Sequence, residues 1–169
     1  MPLIEIITKS AEETKKIGSD LIETLKRPII LKQALIIALE GNLGSGKTTF
    51  VQGLAKGLKI KESVLSPTFL ILKQFPISLK KLKDFYHIDA YRLKNPEELL
   101  ELGFDDLIKN PGNLIAIEWT DKIKKILPKH IMKIKFFNLG KNQRKISIPP
   151  PFLNLLSKFR YDNENNKQI

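Results

Sequence analysis

The sequence contains no cysteine and no long apolar run, and each absence narrows what the chain can be. Without cysteine, it has neither a disulfide framework nor a thiolate metal site. The longest apolar run, residues 34–39, is far shorter than the roughly 20 residues that cross a bilayer as a helix. Glu5 interrupts the stretch where the apolar core of a secretory signal would lie. We therefore expect a cytoplasmic protein without membrane association.

Acidic residues are also few relative to basic ones. Lys and Arg total 29 against 18 Asp and Glu, which gives a formal net charge of +11. Such a charge is compatible with a nucleic-acid or nucleotide partner. Lysine is abundant along the whole chain, however, so a general compositional bias explains the charge as well as a designed patch does. The net charge alone therefore does not decide whether the chain contacts RNA directly.

The composition and the apolar pattern indicate one α/β domain. The chain has 169 residues, of which 42% are hydrophobic and 28% charged, enough for a full core. Apolar segments alternate with helical patterns, as in P-loop NTPase-like folds with a central, mostly parallel sheet flanked by helices. We expect a single domain over residues 1–150 and a polar tail over 151–169. Strands are predicted at 3–7, 34–40, within 66–75, at 84–89 and 113–118, and as a C-terminal antiparallel pair at 131–137 and 144–148.

Three helices are predicted between these strands. The first begins with a capping box, in which Ser10 accepts from the amide of Glu13 and Glu13 reaches back to the amide of Ser10. The second ends around Gly57, and the third begins at Asn95 and stops at Gly103. The predicted buried stripe of the first helix is Thr14, Ile17, Leu21 and Leu25.

Residues 39–50, "LEGNLGSGKTTF", have the spacing of a phosphate-binding loop. Gly41, Gly46, Lys47 and Thr48 match G-x-x-x-x-G-K-[ST]. Glycines let several backbone amides converge on phosphate, and the following helix adds the partial positive charge of its N-terminus. We expect Lys47 to reach the β- and γ-phosphates and the Thr48 hydroxyl to bind Mg²⁺. An apolar strand before the loop and an amphipathic helix after it argue against a chance match.

Two carboxylates follow apolar strands and are candidates for the acidic residue that such a site needs. Asp89 and Glu118 each end a predicted central strand. Parallel sheets collect their chemistry at the carboxyl ends of strands, so both could lie beside the phosphates. His87 faces the same side as Asp89 and is either a base or a support for it. Trp119 is interpreted as a packing residue.

The absence of other motifs limits the class of nucleotide-binding protein. No N/T-K-x-D segment reads a guanine base, which argues against a GTPase. Arginines are few and form no cluster, whereas a kinase of small substrates usually carries an arginine-rich lid. No acceptor site is evident either. A stand-alone small-molecule kinase and an ATP-binding regulatory module that does not hydrolyse nucleotide remain as alternatives to an ATPase.

Five segments together resemble one family. "EGNLGSGKTTF", "SPTF", "YHIDAYRL", "PEELLELGFDDL" and "AIEWTDKIKKILP" follow one another in the order and approximate spacing of the TsaE family. These proteins are small P-loop ATPases of bacterial tRNA threonylcarbamoyladenosine synthesis. The resemblance runs from about Leu3 to Ile148, which is most of the chain.

The resemblance implies a Mg²⁺-dependent ATPase that serves tRNA modification. Its partners in the family are TsaB and TsaD, which transfer threonylcarbamoyl from an adenylate onto adenosine 37 of tRNAs that read ANN codons. The ATPase does not perform that transfer. The resemblance implies that its ATP hydrolysis is slow alone and permits repeated cycles of the TsaB–TsaD pair. Contact with tRNA would then be indirect, through the complex.

The resemblance also implies site residues, carried over by matching motif. Lys47 contacts phosphate, Thr48 and Glu118 hold Mg²⁺, and Asp89 orders metal-bound or attacking water, so that Lys47, Asp89 and Glu118 form the catalytic set. The implied nucleotide cradle comprises Gly41, Asn42, Leu43, Gly44, Ser45, Gly46, Lys47, Thr48 and Thr49.

Two further elements of the site are implied at lower specificity. Ser66 and Thr68 of "SPTF" match a switch-like loop near the γ-phosphate. Arg144 falls where the family has a basic residue near bound nucleotide, although it stands in a variable hairpin. The resemblance implies nothing for the tail.

Overall fold

The structure is a computed structural model that describes residues 3–25, 32–65, 67, 70–129 and 131–149. The predicted tail over 151–169 lies outside the described residues, and the division into one domain and a tail stays a prediction. Short 3-10 helices cover Ala90–Arg92 and Thr120–Ile126. The other elements are β1 (Ile4–Thr8), α1 (Ala11–Leu25), β2 (Leu35–Glu40), α2 (Lys47–Gly57), β3 (Leu72–Leu79), β4 (Leu82–Asp89), α3 (Glu97–Glu101), α4 (Phe104–Lys109), β5 (Asn113–Glu118), β6 (Met132–Gly140) and β7 (Gln143–Ile148).

In the described part of the chain, seven strands form one sheet in the order β1-β7-β6-β2-β5-β4-β3. The central strands β6, β2, β5 and β4 are parallel to one another, while both edges are antiparallel. The predicted α/β class and the antiparallel pair β6–β7 are therefore confirmed. Strand β5 has all six residues buried, because a central parallel strand is covered on both faces.

The hairpin of β3 and β4 is the part of the sheet that the pattern did not predict as a pair. The two strands run antiparallel, with Leu72 opposite Ile88. Strand β3 contains Pro76, which cannot donate a hydrogen bond to a neighbouring strand. It is tolerated because β3 lies at the edge of the sheet.

Helices cover both faces of the central sheet and give two apolar clusters. One cluster lies between the sheet and the α1–α2 pair, and the other lies beneath α3, α4 and the second 3-10 helix. Helices α1 and α2 approach each other closely at glycines, and at Gly18 and Gly53 the nearest atom of the other helix is a backbone oxygen. A Cβ on Gly18 would lie 2.4 Å from the carbonyl oxygen of Phe50, and one on Gly53 would lie 2.1 Å from that of Lys15. No side chain fits at either position.

The helix ends largely follow their predicted signals. The Ser10 hydroxyl accepts from the Glu13 amide at 3.1 Å, but the Glu13 carboxylate accepts from Lys9 at 2.7 Å rather than from Ser10. Gly103 adopts a φ of +81° and separates α3 from α4, which the prediction did not include. The predicted stripe of α1 is buried at Thr14, Ile17, Leu21 and Leu25. Within the described part of the chain, no helix is long and apolar enough to span a membrane.

Candidate nucleotide-binding site

The glycine loop connects β2 to α2 at the carboxyl edge of the parallel strands. Gly41, Gly44 and Gly46 adopt φ values of +150°, +73° and +100°, which L side chains rarely accept. Gly41 also lies close to β6, since a Cβ there would be 2.5 Å from the carbonyl oxygen of Phe136. Helix α2 begins at Lys47 directly after the loop, so its N-terminal amides face the loop side. This is the geometry that concentrates backbone donors on an anion.

Lys47 folds back onto the loop that precedes it. Its Nζ donates to the carbonyl oxygens of Gly41 and Asn42 at 2.7 and 3.0 Å. The ammonium also lies 4.0 Å from the centroid of the Trp119 ring, and the residue is only 4% exposed. Burial lowers the pKa of the Lys47 ammonium, while the nearby Glu118, Asp89 and Asp121 carboxylates oppose that shift.

Thr48 and Glu118 come together from elements 70 residues apart. The Thr48 hydroxyl lies 2.9 Å from each oxygen of the Glu118 carboxylate. Thr48 stands in the first turn of α2, and Glu118 is the last residue of β5. Since β2 and β5 are parallel neighbours, the loop after one strand lies beside the end of the other. The result is a cluster of oxygen atoms beneath the glycine loop.

The end of β4 brings two more polar residues to the same edge. His87 Nε2 lies 2.9 Å from Glu118 Oε1, and both side chains are buried. Asp89 is directly opposite Glu118 in the β4–β5 register. Its Oδ1 accepts from the amide of Tyr91 at 3.0 Å, which caps the first 3-10 helix. His87 therefore supports Glu118 rather than the Asp89 expected from sequence.

Arg144 reaches the glycine loop from β7, three strands away from β5 in the sheet. A Cβ on Gly46 would lie 2.6 Å from Arg144 Cδ, so the arginine side chain packs directly on the loop. Its Nη1 donates to the carbonyl oxygen of Asn142 at 2.9 Å. Among the described residues, the buried Arg144 Nε and Ser45 Oγ have no hydrogen-bond partner.

Comparison with known proteins identifies the family to which this geometry belongs. The family model for "Threonylcarbamoyl adenosine biosynthesis protein TsaE" matches residues 8–146. The chain belongs to the TsaE family.

Relatives named "tRNA threonylcarbamoyladenosine biosynthesis protein TsaE" are similar over most of their length. The protein from Rickettsia felis is 38% identical over 85% of this chain and 78% of its own. For Bacillus subtilis the identity is 36% over 83% and 81%, and for Treponema pallidum it is 32% over 84% and 97%. The crystal structure of YdiB from Bacillus subtilis superposes with a TM-score of 0.69 and 29% identity, covering 93% of each chain. These similarities place the chain in a tRNA threonylcarbamoyladenosine biosynthesis family.

Most site residues expected from the TsaE resemblance converge at one edge of the sheet. Lys47, Thr48, Asp89 and Glu118 lie there together, and Arg144 packs against Gly46. The remaining predicted cradle residues occupy the loop and the start of α2: Gly41, Asn42, Leu43, Gly44, Ser45 and Thr49. Their roles in binding and catalysis stay predictions. Within the described ranges, no three His, Cys, Asp or Glu side chains converge as a ready-made metal site.

The expected switch residues Ser66 and Thr68 lie outside the described residues. Pro67 between them is described, and its carbonyl oxygen accepts from the amides of Leu70 and Ile71 at 2.9 and 2.7 Å. The carbonyl oxygen of Ile71 in turn accepts from the amide of Asp89 at 2.9 Å. The chain that follows "SPTF" is thereby attached to the strand end that carries Asp89.

Trp119 has a closer connection to the site than the sequence suggested. It packs on the second apolar cluster as predicted, but its ring also covers the Lys47 ammonium and lies 5.0 Å from the Tyr91 ring. The residue adopts a φ of +60°, which is unusual for a bulky side chain. Its position immediately after Glu118 was the only signal in the sequence that could have pointed to this contact.

Proposed function

We propose that this chain is the Mg²⁺-dependent, ATP-hydrolysing subunit that supports threonylcarbamoylation of adenosine 37 in tRNAs reading ANN codons. It acts in the cytoplasm with TsaB and TsaD homologues, which carry out the transfer, and reaches tRNA only through them. The observation that carries the proposal is the Thr48–Glu118 contact beneath the glycine loop. It brings together the hydroxyl and the carboxylate that P-loop NTPases use for Mg²⁺.

The donor chemistry of the site fits ATP and Mg²⁺. Thr48 and Glu118 offer hard oxygen ligands, and Mg²⁺ is commonly held by one or two protein groups together with phosphate oxygens and water. The glycine loop, the start of α2 and the partnerless Arg144 Nε and Ser45 hydroxyl supply hydrogen-bond donors for phosphate. When bound, Mg²⁺ neutralises charge that develops on the phosphates.

The chain's own residues have separable roles in this proposal. Lys47 exchanges its bonds to the Gly41 and Asn42 carbonyl oxygens for bonds to phosphate. Glu118 and Thr48 hold the metal side of the site. Asp89, fixed by the Tyr91 amide, orients water near the terminal phosphate. These assignments rest on the convergence of the side chains and on the TsaE family.

The direct test is ATP hydrolysis and multiple-turnover tRNA modification by the purified chain mixed with TsaB and TsaD. Lys47→Ala should abolish both, because it removes the ammonium that lies on the loop and that, in this proposal, binds the phosphates. Lys56→Ala is the matched control, since Lys56 lies on the exposed side of the same helix. Unchanged support by Lys47→Ala would contradict the proposal.

The same assay separates the alternative functions. Phosphoryl transfer to a small molecule in the absence of TsaB and TsaD would favour a kinase. Tight ATP binding without hydrolysis when both partners are present would favour a regulatory module. Acceleration of hydrolysis by the partners supports the ATPase.

A further inference from the structure

We infer that His87 is a positioning residue that holds one oxygen of Glu118 and thereby leaves the other free for the metal. The inference rests on the proposed function and concerns the same site. It assigns a task to a buried histidine that neither the P-loop chemistry nor the family comparison explains.

The sheet register directs His87 toward Glu118. His87 lies opposite Ala116 in the parallel β4–β5 pair, and Glu118 is two residues further along β5 on the same face. The His87 imidazole leans along the strand, past Ala116, toward Glu118. Its Nε2 thus reaches Glu118 Oε1 at 2.9 Å, with His87 completely buried.

The two oxygens of Glu118 are held differently. Oε1 has both His87 Nε2 and Thr48 Oγ1 within 2.9 Å, while Oε2 has Thr48 Oγ1 at 2.9 Å. The Thr48 hydroxyl has only one proton and can donate to one of them at a time. If that hydroxyl coordinated a metal ion, Oε1 would keep its bond to His87. Oε2 would then point in one fixed direction.

The contact also determines which nitrogen of His87 carries the proton. A carboxylate can only accept, so Nε2 must donate and the neutral ring carries its hydrogen there. The other nitrogen, Nδ1, is buried and has no partner among the described residues. A hydrogen on Nδ1 would therefore be an unsatisfied buried donor. Because His87 has no exposed surface, it acts through Glu118 rather than on substrate.

Two amide substitutions distinguish this role from packing. In His87→Gln the side-chain nitrogen is four bonds from Cα, as Nε2 is, so it can still donate to Glu118. In His87→Asn the amide is at the position of Nδ1 and cannot. Asn is one methylene shorter than Gln, so a role in packing alone would lower the stability and the Mg²⁺-free ADP affinity of His87→Asn as well. A loss confined to Mg²⁺ coupling therefore identifies the donor role.

The experiment measures how strongly Mg²⁺ tightens ADP binding, together with kcat and the Mg²⁺ concentration for half-maximal ATP hydrolysis. We expect His87→Asn to raise that concentration by about 10- to 100-fold, as for other groups that orient metal ligands. ADP affinity without Mg²⁺ should stay unchanged, and His87→Gln should restore most of the loss. Equal losses in both variants, or intact Mg²⁺ coupling in His87→Asn, would overturn the inference. Failure of wild-type hydrolysis would instead count against the proposed function.

A measurement on the wild-type protein covers the case in which His87→Asn does not fold. The chain has two histidines, His87 and His130, so nitrogen-15 NMR with a His130→Gln control assigns both rings. We expect the Nε2–H tautomer at His87, with a slowly exchanging Nε2 proton that persists when ADP and Mg²⁺ are added. An Nδ1–H tautomer would refute the inference regardless of any variant.

Discussion

The carboxylates at the ends of β4 and β5 are similarly buried but are held in different ways. Asp89 is 4% exposed and Glu118 2%. Asp89 accepts from a backbone amide two residues along its own chain, whereas Glu118 accepts from side chains on α2 and β4. The Tyr91 amide therefore ties Asp89 to its own strand end. Glu118 joins three elements, and its geometry depends on all of them.

Of the two carboxylates, Glu118 should give the larger effect when its charge is removed. In Glu118→Gln we expect ATP hydrolysis with TsaB and TsaD to fall on the order of 100-fold, equivalent to roughly 2.7 kcal/mol of transition-state stabilisation. Mg²⁺ should no longer tighten ADP binding, which titration calorimetry can measure. Glu101→Gln is the control because Glu101 is exposed on α3. If Mg²⁺ still tightened ADP binding in Glu118→Gln, Glu118 would not be a metal ligand.

Asp89→Asn should separate turnover from metal binding. The amide keeps an oxygen for the Tyr91 amide but loses the charge that would orient water. We expect hydrolysis to fall roughly 10-fold, less than the 100-fold or more typical of a lost general base, because the Asn amide can still hydrogen-bond water. The gain in ADP affinity on adding Mg²⁺ should stay within about twofold of wild type. If Asp89→Asn lost the gain in ADP affinity on adding Mg²⁺, as expected for Glu118→Gln, then Asp89 and Glu118 would not have separate roles.

The local cap at Asp89 predicts a stability difference between two substitutions. Asp89→Ala leaves the Tyr91 amide without its acceptor, whereas Asp89→Asn retains one. We expect Asp89→Ala to have a free energy of unfolding about 1 kcal/mol lower than Asp89→Asn. Urea denaturation of both proteins measures this difference. Equal midpoints and slopes would show that the cap contributes nothing.

The pKa of Lys47 reports how strongly each of the two carboxylates acts on its ammonium. Burial lowers its pKa, and Glu118 opposes this shift more strongly than Asp89. Because the folded state holds this proton less tightly than the unfolded state, stability should rise with pH between the folded-state pKa and the ordinary value of 10.5. The rise should begin at lower pH in Glu118→Gln than in Asp89→Asn. Thermal unfolding from pH 7 to 10.5, corrected with Lys47→Met backgrounds, tests the order.

The smallest expected effect is optical. Trp119, the only tryptophan of the chain, contacts the Lys47 ammonium and the Tyr91 ring. If Lys47 turns to phosphate, the field on the indole changes, so ADP should alter Trp119 emission. Asp89→Asn should keep that response, whereas Lys47→Met should reduce it. A full response in Lys47→Met would show that another group near the indole causes it.

Local patterns predicted the parts of the site that depend on neighbours in sequence. The spacing of Gly41, Gly46, Lys47 and Thr48 is contained in one loop, and the central strands were recognised by their unbroken apolar character. The meeting of Asp89 and Glu118 at one edge followed from parallel strands. These features need no knowledge of how distant side chains pack.

Contacts that depend on the register between neighbouring strands could not be predicted from the sequence. Alternation along β4 gave the face of His87, but only the offset between β4 and β5 decides whether it meets Asp89 or Glu118. The φ of +60° at Trp119 is likewise imposed by the surrounding structure, since the residue type does not favour it. The β3–β4 pairing was missed for the same reason, because Pro76 is compatible with an edge strand but does not identify its neighbour.

The glycine contact between α1 and α2 has a consequence for reading variation in this family. Gly53 stands six residues after Lys47, and even one extra carbon there would collide with the backbone of Lys15. In a saturation-mutagenesis screen, position 53 would tolerate glycine alone and would score like a catalytic position. The intolerance of position 53 would reflect the close spacing of α1 and α2. Selection for the packing of α2 would then be mistaken for selection for catalysis.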